Sequence, residues 1–593
     1  MREYTTPAIV APPTTGSLSD PVWANASSHP TSAVFARRSG ADWIDVTAAQ
    51  FKDQVAAVAK GLIAAGVEHG DRVALLSPTR YEWTLVDYAI WSVGAVTVPI
   101  YETSSAAQVH WILTDSEAVA AVVERPAHAT VVEAARPEAP SLREVWQIEG
   151  GAVDQLTALG AEITDAELDK RRAAITPADL ATLIYTSGTT GQPKGCKITH
   201  ANFMSELETA VKVLDKLFVL DGASTLLFLP LAHVFARIIQ VGCVMMRVKL
   251  GHTADVKNLV ADLGQFKPTF ILSVPRVFEK VFNTASQTAH SAGRGKIFDA
   301  AAEAAIAYSK ADGKPGINMR IQHAIFDRLV YGKLRAVLGG QVDYAVSGGA
   351  PLGDRLAHFF RGIGVPVLEG YGLTETTAAL SVNLPDDIRV GTVGKPLPGV
   401  SVKVAGDGEL LFKGGQVMAG YWKNDEATAA AIQDGWFHTG DLGEVDDDGF
   451  IKITGRKKEI LVTAGGKNVA PAVLEDQIRL HPLISQTMVV GDGRPFIAAL
   501  VTIDGETIGA WASDRGKSGK VADLVDDPDL IAEVQKAVDD ANSLVSKAES
   551  IRKFAILPTD WTQENGELSL KLSLRRHIVT QKHEADIEAL YTR

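Results

Sequence analysis

Tyr185-Thr-Ser-Gly-Thr-Thr-Gly-Gln-Pro-Lys-Gly195, entered from the apolar run Leu180-Ala-Thr-Leu-Ile-Tyr185, is the stretch that decides how this chain reads. The run has the length and aliphatic content of a short buried strand, so the glycines and hydroxyls after it sit on a strand-to-loop transition. Backbone N–H groups at such a transition can converge on an anion, and this density of hydroxyls ending in a lysine suits a polyphosphate. The P-loop NTPase version needs a helix to begin at the lysine, whereas Pro193 precedes Lys194 here and Gly195 follows it. A kinase or GTPase reading is therefore poor.

Composition bounds the rest. At 593 residues with 46% hydrophobic content, the chain exceeds one hydrophobic core and is expected to form at least two domains. A net charge of −13 argues against a nucleic-acid partner. Two cysteines, Cys196 and Cys243, make no disulfide framework or thiolate metal site, and point to buried thiols in a reducing, cytoplasmic compartment. The amino terminus, with Pro7, Pro12 and Pro13, has no apolar core and reads as a mobile tail over residues 1–30. The most apolar region, Leu226 to Leu250, is interrupted by Pro230, His233, Arg237, Gln240 and Arg247, so no transmembrane segment is expected and any membrane contact is peripheral.

Outward from the loop, helical stretches (Ala48 to Ala65, Tyr81 to Val93) alternate with the runs Arg72 to Leu76 and Val96 to Ile100, which predicts βαβ units. The pattern resumes with Leu226 to Leu229, Phe270 to Val274 and Tyr344 to Ser347 as candidate buried strands. From Gly391 to Ile453 the texture turns to short alternating runs between glycines, predicting a small β-rich subdomain over 391–453. A new α/β pattern starts near Lys458. The expected organisation is a large α/β domain over 1–456 and a small α+β domain over 457–593. Residues 505 to 550, acidic and helical in spacing, read as a solvated insertion.

With the loop, Tyr371-Gly-Leu-Thr-Glu-Thr376, Thr439-Gly-Asp441 and Ile453-Thr-Gly-Arg456 present in that order, the chain resembles the adenylate-forming (AMP-binding) superfamily. Ser273-Val-Pro-Arg-Val-Phe-Glu-Lys280 and Phe326-Asp-Arg-Leu-Val-Tyr331 are similar to the bacterial long-chain fatty-acid CoA ligase branch, from about Trp43 to the carboxyl terminus. The resemblance implies a large domain and a small one that swivels between two half-reactions. The first makes acyl-AMP and pyrophosphate from a fatty acid and ATP, and the second transfers the acyl group to coenzyme A.

The chemistry accounts for the residue types. Attack of a carboxylate on the α-phosphate needs the target's charge neutralised, which assigns Thr186, Ser187, Gly188, Thr189, Thr190, Gly191 and Lys194 to the phosphates. By resemblance, Glu375 holds Mg²⁺ with the Thr186 hydroxyl, a hard carboxylate for a hard cation. Ser347, Gly348, Gly349 and Ala350 pass close to the base or ribose, with Glu369, Gly370, Gly372 and Thr374 around Tyr371, which covers the adenine. Asp441 accepts the ribose hydroxyls and Arg456 shares that sugar. Lys458 matches the position about which the small domain rotates. His233, in Leu229-Pro-Leu-Ala-His-Val-Phe235, matches a position near the acyl carboxylate. A role in orientation or gating is expected of it, since a carboxylate nucleophile is already ionised at neutral pH, and a satisfied core histidine is the competing reading.

One segment departs from the family pattern. The adenylation lysine of the long-chain branch usually lies in Glu-Leu-Thr-Pro-Thr-x-Lys-x-Lys-Arg, whereas this chain reads Glu567-Leu-Ser-Leu-Lys-Leu-Ser-Leu-Arg-Arg576, with Ser573 at the lysine's position. Lys571 is two residues early. Alternating leucines at 568, 570, 572 and 574 predict a strand that keeps Lys571 on the same face as Ser573, displaced by roughly 6 to 7 Å. The expected function is an ATP- and Mg²⁺-dependent acyl-CoA synthetase for medium- to long-chain fatty acids, with Lys571 in the adenylation step. An acyl-AMP ligase loading a carrier protein stays open beside it, as does a non-catalytic adenylate- or lipid-binding relative. The latter draws on the altered Lys571 segment.

Overall fold

The computed structural model describes residues 3–40, 42–186, 192–255, 258–569 and 574–592. The run that precedes the phosphate loop forms the strand Leu180–Thr186, buried along its middle. It lies in a six-stranded sheet ordered Glu144–Gln147, Ala120–Val123, Arg72–Leu76, Val96–Ile100, Leu180–Thr186 and Lys194–Thr199. All neighbours in this sheet are parallel except the last pair. Near-continuous apolar strands are what a parallel sheet covered on both faces requires. The helices Ala48–Ala64 and Tyr81–Ser92 supply part of that cover, with Trp83 and Trp91 fully buried.

A second sheet sets Phe270–Ser273, Tyr344–Ser347 and Val367–Tyr371 in parallel and ends in two short antiparallel strands. A third joins Ser224–Leu227, Lys249–His252 and Ala33–Ser39 in parallel, with Asp42–Thr47 antiparallel at its edge. Thr186, Ser347 and Tyr371 thereby all stand at the carboxyl ends of parallel strands, where ligands bind in open α/β sheets. The β-rich unit is antiparallel, with Ser401–Val404, Glu409–Lys413, Trp436–Val445 and Ile451–Arg456 in succession. The small domain packs the sheet Ile484–Val490, Ile497–Ile503 and Ile551–Ile556 against the helices Pro471–Ile478 and Pro528–Asn542. It rests on the large domain's helix Pro275–Ser291, where Arg276 donates to the Ser485 carbonyl over 3.1 Å and Lys280 pairs with Glu506 at 3.3 Å.

Three expectations are corrected. The amino-terminal segment is not a loose tail: Glu3–Thr5 pairs with Ser401–Val404, and the helix Asp20–Ser28 places Trp23 beneath the Arg172 guanidinium at 3.6 Å. Residues 505 to 550 are not a solvated insertion. In the helix Pro528–Asn542, Leu530, Val534, Ala537, Val538 and Ala541 recur on one face and are buried in the small domain's core, so only the opposite, acidic face is in solvent. Leu568 and Leu574, expected on one face of a single straight strand, are instead antiparallel bridge partners of each other. Both cysteines are buried, as read from the sequence. Among the described residues no helix is long and apolar enough to cross a membrane.

Candidate active site

Three residues from motifs 70 and 15 positions apart meet at the junction of the second sheet and the β-rich unit. The Tyr371 hydroxyl donates to Asp441 Oδ2 over 2.5 Å, and Arg456 Nε reaches Asp441 Oδ1 at 3.1 Å. Asp441 and Arg456 face each other across the pair Trp436–Val445 and Ile451–Arg456, so sheet register sets that contact. Gly440 adopts φ +72°, and the Asp441 N–H donates to the Thr439 hydroxyl at 3.0 Å, which turns the carboxylate inward. Burial raises the Asp441 pKa, opposed by the charge of Arg456. A buried carboxylate beside an aromatic ring and a guanidinium is a donor–acceptor set that fits a sugar diol next to a planar base.

The phosphate loop is anchored at its described base. Thr186 and Lys194 are register partners, so the loop closes a hairpin. Its flank is held by the Trp111 indole N–H to the Pro193 carbonyl (2.9 Å) and the Trp422 N–H to the Gly195 carbonyl (2.7 Å). The Lys194 ammonium lies 5.2 Å from the centre of the Tyr421 ring, and the Tyr421 hydroxyl donates to Glu375 Oε1 over 3.0 Å. Lys194 and Glu375, read from separate motifs, are thus brought to the same aromatic ring. Glu375 is half-buried, and its second oxygen has no hydrogen bond among the described residues. It is an available hard donor of the kind Mg²⁺ takes. Ser187, Gly188, Thr189, Thr190 and Gly191 lie outside the described residues.

The backbone that presents Glu375 is strained and tightly packed. Thr377 adopts φ +64°, and a Cβ on Gly372 would fall 1.4 Å from the Ala378 carbonyl oxygen, so only glycine fits there. Two groups hold this turn: the Thr377 hydroxyl donates to the Gln416 carbonyl at 2.6 Å, and the Ala379 N–H donates to Glu206 Oε1 at 2.8 Å. Glu206 is buried with its other oxygen unpartnered among the described residues, and burial pushes its pKa up to about 8. An acid whose folded pKa lies above its unfolded value loses stability as pH rises from the unfolded to the folded value. Glu206→Gln keeps the acceptor and removes the titration. It is expected to match the parent near pH 4 and to gain roughly 1–3 kcal/mol by pH 8, read from unfolding midpoints across that range. A gain that stays flat with pH would show that Glu206 is ionised in the fold.

Ser347 ends its strand with a buried hydroxyl that has no partner among the described residues, a vacant donor where the sequence places the nucleotide. A Cβ on Gly348 would meet the Phe235 ring at 3.2 Å, so this loop and the segment after His233 lie in contact. Gly349 and Ala350 continue the bend beyond it. Glu369 pairs in register with Ser347 and accepts the Leu352 N–H at 3.0 Å, with burial pushing its carboxyl up to about 7. It therefore braces the loop through the Leu352 N–H. Gly370 and Thr374 lie on the same stretch, Thr374 buried. His233 caps the helix Val234–Met246, its Nδ1 accepting the Phe235 N–H at 3.0 Å. In a neutral ring that bond puts the proton on Nε2.

One turn on, Arg237 is fully buried. It bonds Asp87 through Nε (3.0 Å) and Nη2 and the Thr182 hydroxyl through Nη1 (2.6 Å), with Thr97 and Gln240 also donating to Asp87. This network ties the His233 helix to the strand that feeds the phosphate loop. Sequence reasoning saw Arg237 and Gln240 only as polar residues that interrupt an apolar run. Glu206 was missed as well, although a carboxylate among Phe203, Leu207 and Val211 on one helical face was a signal. Tyr421 carried no signal. Lys458 follows Arg456 at the crossing into the small domain, exposed and without an ion pair among the described residues. Lys571 and Ser573 lie outside the described residues.

Parallel strands ending in a phosphate-type hairpin, beside a carboxylate–tyrosine–arginine group and below a small second domain, define a nucleotide-binding protein of two unequal domains. The AMP-binding enzyme profile matches residues 22–422, and that of the AMP-binding enzyme C-terminal domain matches residues 458–593. The chain belongs to the AMP-binding enzyme family. It is 53% identical over 600 aligned positions, covering all of both chains, to a protein of Mycobacterium bovis named long-chain-fatty-acid–CoA ligase FadD15. Among solved structures it is similar to anthranilate CoA ligase AuaEII in complex with anthranoyl-AMP (TM-score 0.72, 20% identity, 97% of this chain and 98% of that one). It is also similar to O-succinylbenzoate coenzyme A synthetase of Bacillus subtilis in complex with ATP and magnesium (TM-score 0.68, 20% identity, 94% and 98%).

Proposed function

We propose that the protein is a fatty-acid–CoA ligase that activates a medium- to long-chain acid with ATP and transfers it to coenzyme A. The observation that carries this reading is the 53% identity, over the whole length of both chains, to a long-chain-fatty-acid–CoA ligase. In the first step a carboxylate oxygen of the acid attacks the α-phosphorus of ATP, the bond to the β-phosphate bridging oxygen breaks, and pyrophosphate leaves. In the second the coenzyme A thiolate attacks the acyl carbonyl carbon and AMP leaves.

The roles follow from chemistry and position. The loop from Thr186 to Lys194 takes the phosphates, including Ser187, Gly188, Thr189, Thr190 and Gly191. Asp441 accepts the ribose hydroxyls with Arg456 alongside, and Tyr371 lies against the base. Ser347 through Ala350 line the base and sugar, as do Gly370, Gly372 and Thr374, while Glu369 braces that loop. His233 lies near the acid's carboxylate and serves its orientation or gating. Glu375 and the Thr186 hydroxyl would hold Mg²⁺, which would supply charge neutralisation at the phosphates. Lys571 serves the adenylation step, and Lys458 is the pivot of a small domain over 457–593 that turns between the two steps.

The purified protein incubated with ATP, Mg²⁺, coenzyme A and fatty acids from short to very long should yield acyl-CoA and AMP by mass spectrometry. Accumulation of acyl-AMP without thioester would overturn the ligase reading. The two steps separate in variants: Lys571→Ala should slow acyl-AMP formation by about 10²-fold or more while sparing transfer from preformed acyl-AMP, and Lys458→Pro should do the reverse by stiffening the pivot. Equal loss of both steps in both variants would sink these assignments.

A further inference from the structure

The helix Ile317–Phe326 and its π-helical continuation Asp327–Tyr331, which hold no proposed site residue, carry an unusual outward face. Ile317, Ile321, Ile325 and Leu329 recur every four residues and are 77%, 55%, 53% and 52% exposed. Four-residue spacing puts side chains in a row on one side of a helix. The π turn winds less per residue, which returns Leu329 to the line of the isoleucines. The inward face is already satisfied: His323 stacks on Tyr308 at 3.9 Å and bonds the Gly362 carbonyl at 2.7 Å, and Phe326, Val330 and Tyr331 pack into the core. The apolar row is therefore not a core face left unfilled. A contiguous exposed row of large aliphatics on a soluble fold marks a docking surface.

Charge identifies the partner. Between residues 310 and 335 there are six lysines and arginines against two aspartates, in a chain whose net charge is −13. Both aspartates are neutralised in place, Asp327 by Arg335 and Asp312 by Arg361. Lys314, Arg320, Arg328 and Lys333 are exposed and form no ion pair among the described residues. Long basic side chains beside an aliphatic row can keep their charges in water while the row is buried, as interfacial helices do. The row is the convex face of one helix and contains only aliphatic tips, so it offers little to read in a shaped protein partner but suits a laterally uniform apolar layer beneath anionic headgroups.

We propose that this face docks the protein on a lipid bilayer bearing anionic headgroups, with Ile317, Ile321, Ile325 and Leu329 entering the acyl boundary and Lys314, Arg320, Arg328 and Lys333 at the headgroups. Placement there goes beyond the ligase reading and does not depend on it. The test is co-sedimentation of the full chain with vesicles of phosphatidylcholine and of phosphatidylcholine mixed with phosphatidylglycerol, which reads binding without turnover. Binding is expected on the anionic vesicles and should weaken as salt rises. Ile321→Asp combined with Ile325→Asp should reduce it by about tenfold or more while leaving the melting midpoint and turnover of dispersed substrate unchanged. Arg320→Glu combined with Arg328→Glu should weaken binding and flatten its salt dependence. The proposal is overturned if the isoleucine variant sediments like the parent, if the parent binds neither vesicle, or if it binds both equally. It is also overturned if the isoleucine substitutions dissociate a dimer in light scattering without lipid, which would make this face a contact between copies.

Discussion

Glu375→Gln is expected to lower the rate of acyl-AMP formation by about 10²–10³-fold, the usual effect of removing one preorganised charge-stabilising group from a polar reaction centre. The substitution is informative because of where the carboxylate sits. Tyr421 donates to Oε1, and a glutamine carbonyl accepts the same hydrogen bond, so the turn from Thr374 to Ala379 should keep its shape. What is lost is the charge on the second oxygen, which has no hydrogen bond among the described residues. The Mg²⁺ concentration for half-maximal rate should therefore rise while the unfolding midpoint stays within about 0.5 kcal/mol of the parent. Single-turnover adenylation followed across a Mg²⁺ titration reads both quantities. An unchanged rate and an unchanged Mg²⁺ dependence would remove Glu375 from the metal role.

The second large effect concerns the fold rather than the chemistry. Arg237→Ala strips the partner from Asp87, a carboxylate with no solvent exposure, and should destabilise the large domain by about 3–5 kcal/mol. Burial already raises the Asp87 pKa and Arg237 opposes it, so the variant should drive Asp87 to take a proton. The guanidinium also lies 5.3 Å and 4.9 Å from the Trp83 and Trp91 ring centres, and its removal opens a void between two of the largest buried side chains. Arg237→Met combined with Asp87→Leu should recover more than half of the loss, because a buried ion pair can be replaced by apolar groups of similar volume once neither charge is left alone. Recovery should be incomplete, since Thr97 and Gln240 lose an acceptor. Chemical denaturation of the parent, the single variant and the double variant tests this. A single variant within about 1 kcal/mol of the parent would mean that water or a neighbouring group already compensates Asp87.

Much of the architecture was legible from local pattern. The strands Arg72–Leu76, Val96–Ile100 and Tyr344–Ser347 coincide with runs whose burial the sequence declares by itself, because a covered parallel sheet needs unbroken apolar stretches. The same reasoning failed at Leu568 to Leu574. Alternating leucines specify a strand only if a partner lies alongside, and here Leu568 and Leu574 bridge each other. It failed again over 505 to 550, where the acidic face was visible in composition but the buried one depended on the helix Pro471–Ile478 packing against it.

By itself the sequence determined the family resemblance, the order of its motifs and the residue types that an anion, a diol and a hard cation require. Those are local properties: glycine at a turn, a hydroxyl on a loop, a carboxylate beside a tyrosine. Only the tertiary structure decided which of them meet. Tyr371 and Asp441 are 70 residues apart and join through a 2.5 Å hydrogen bond, because the second sheet meets the β-rich unit there, with the Tyr371 ring 5.8 Å from that of Phe412. Burial decided the rest. The sequence set Glu369 beside Tyr371, read Arg237 as a break in an apolar run and passed over Glu206, whereas their pairing or proton uptake follows from packing that removes water from groups scattered along the chain.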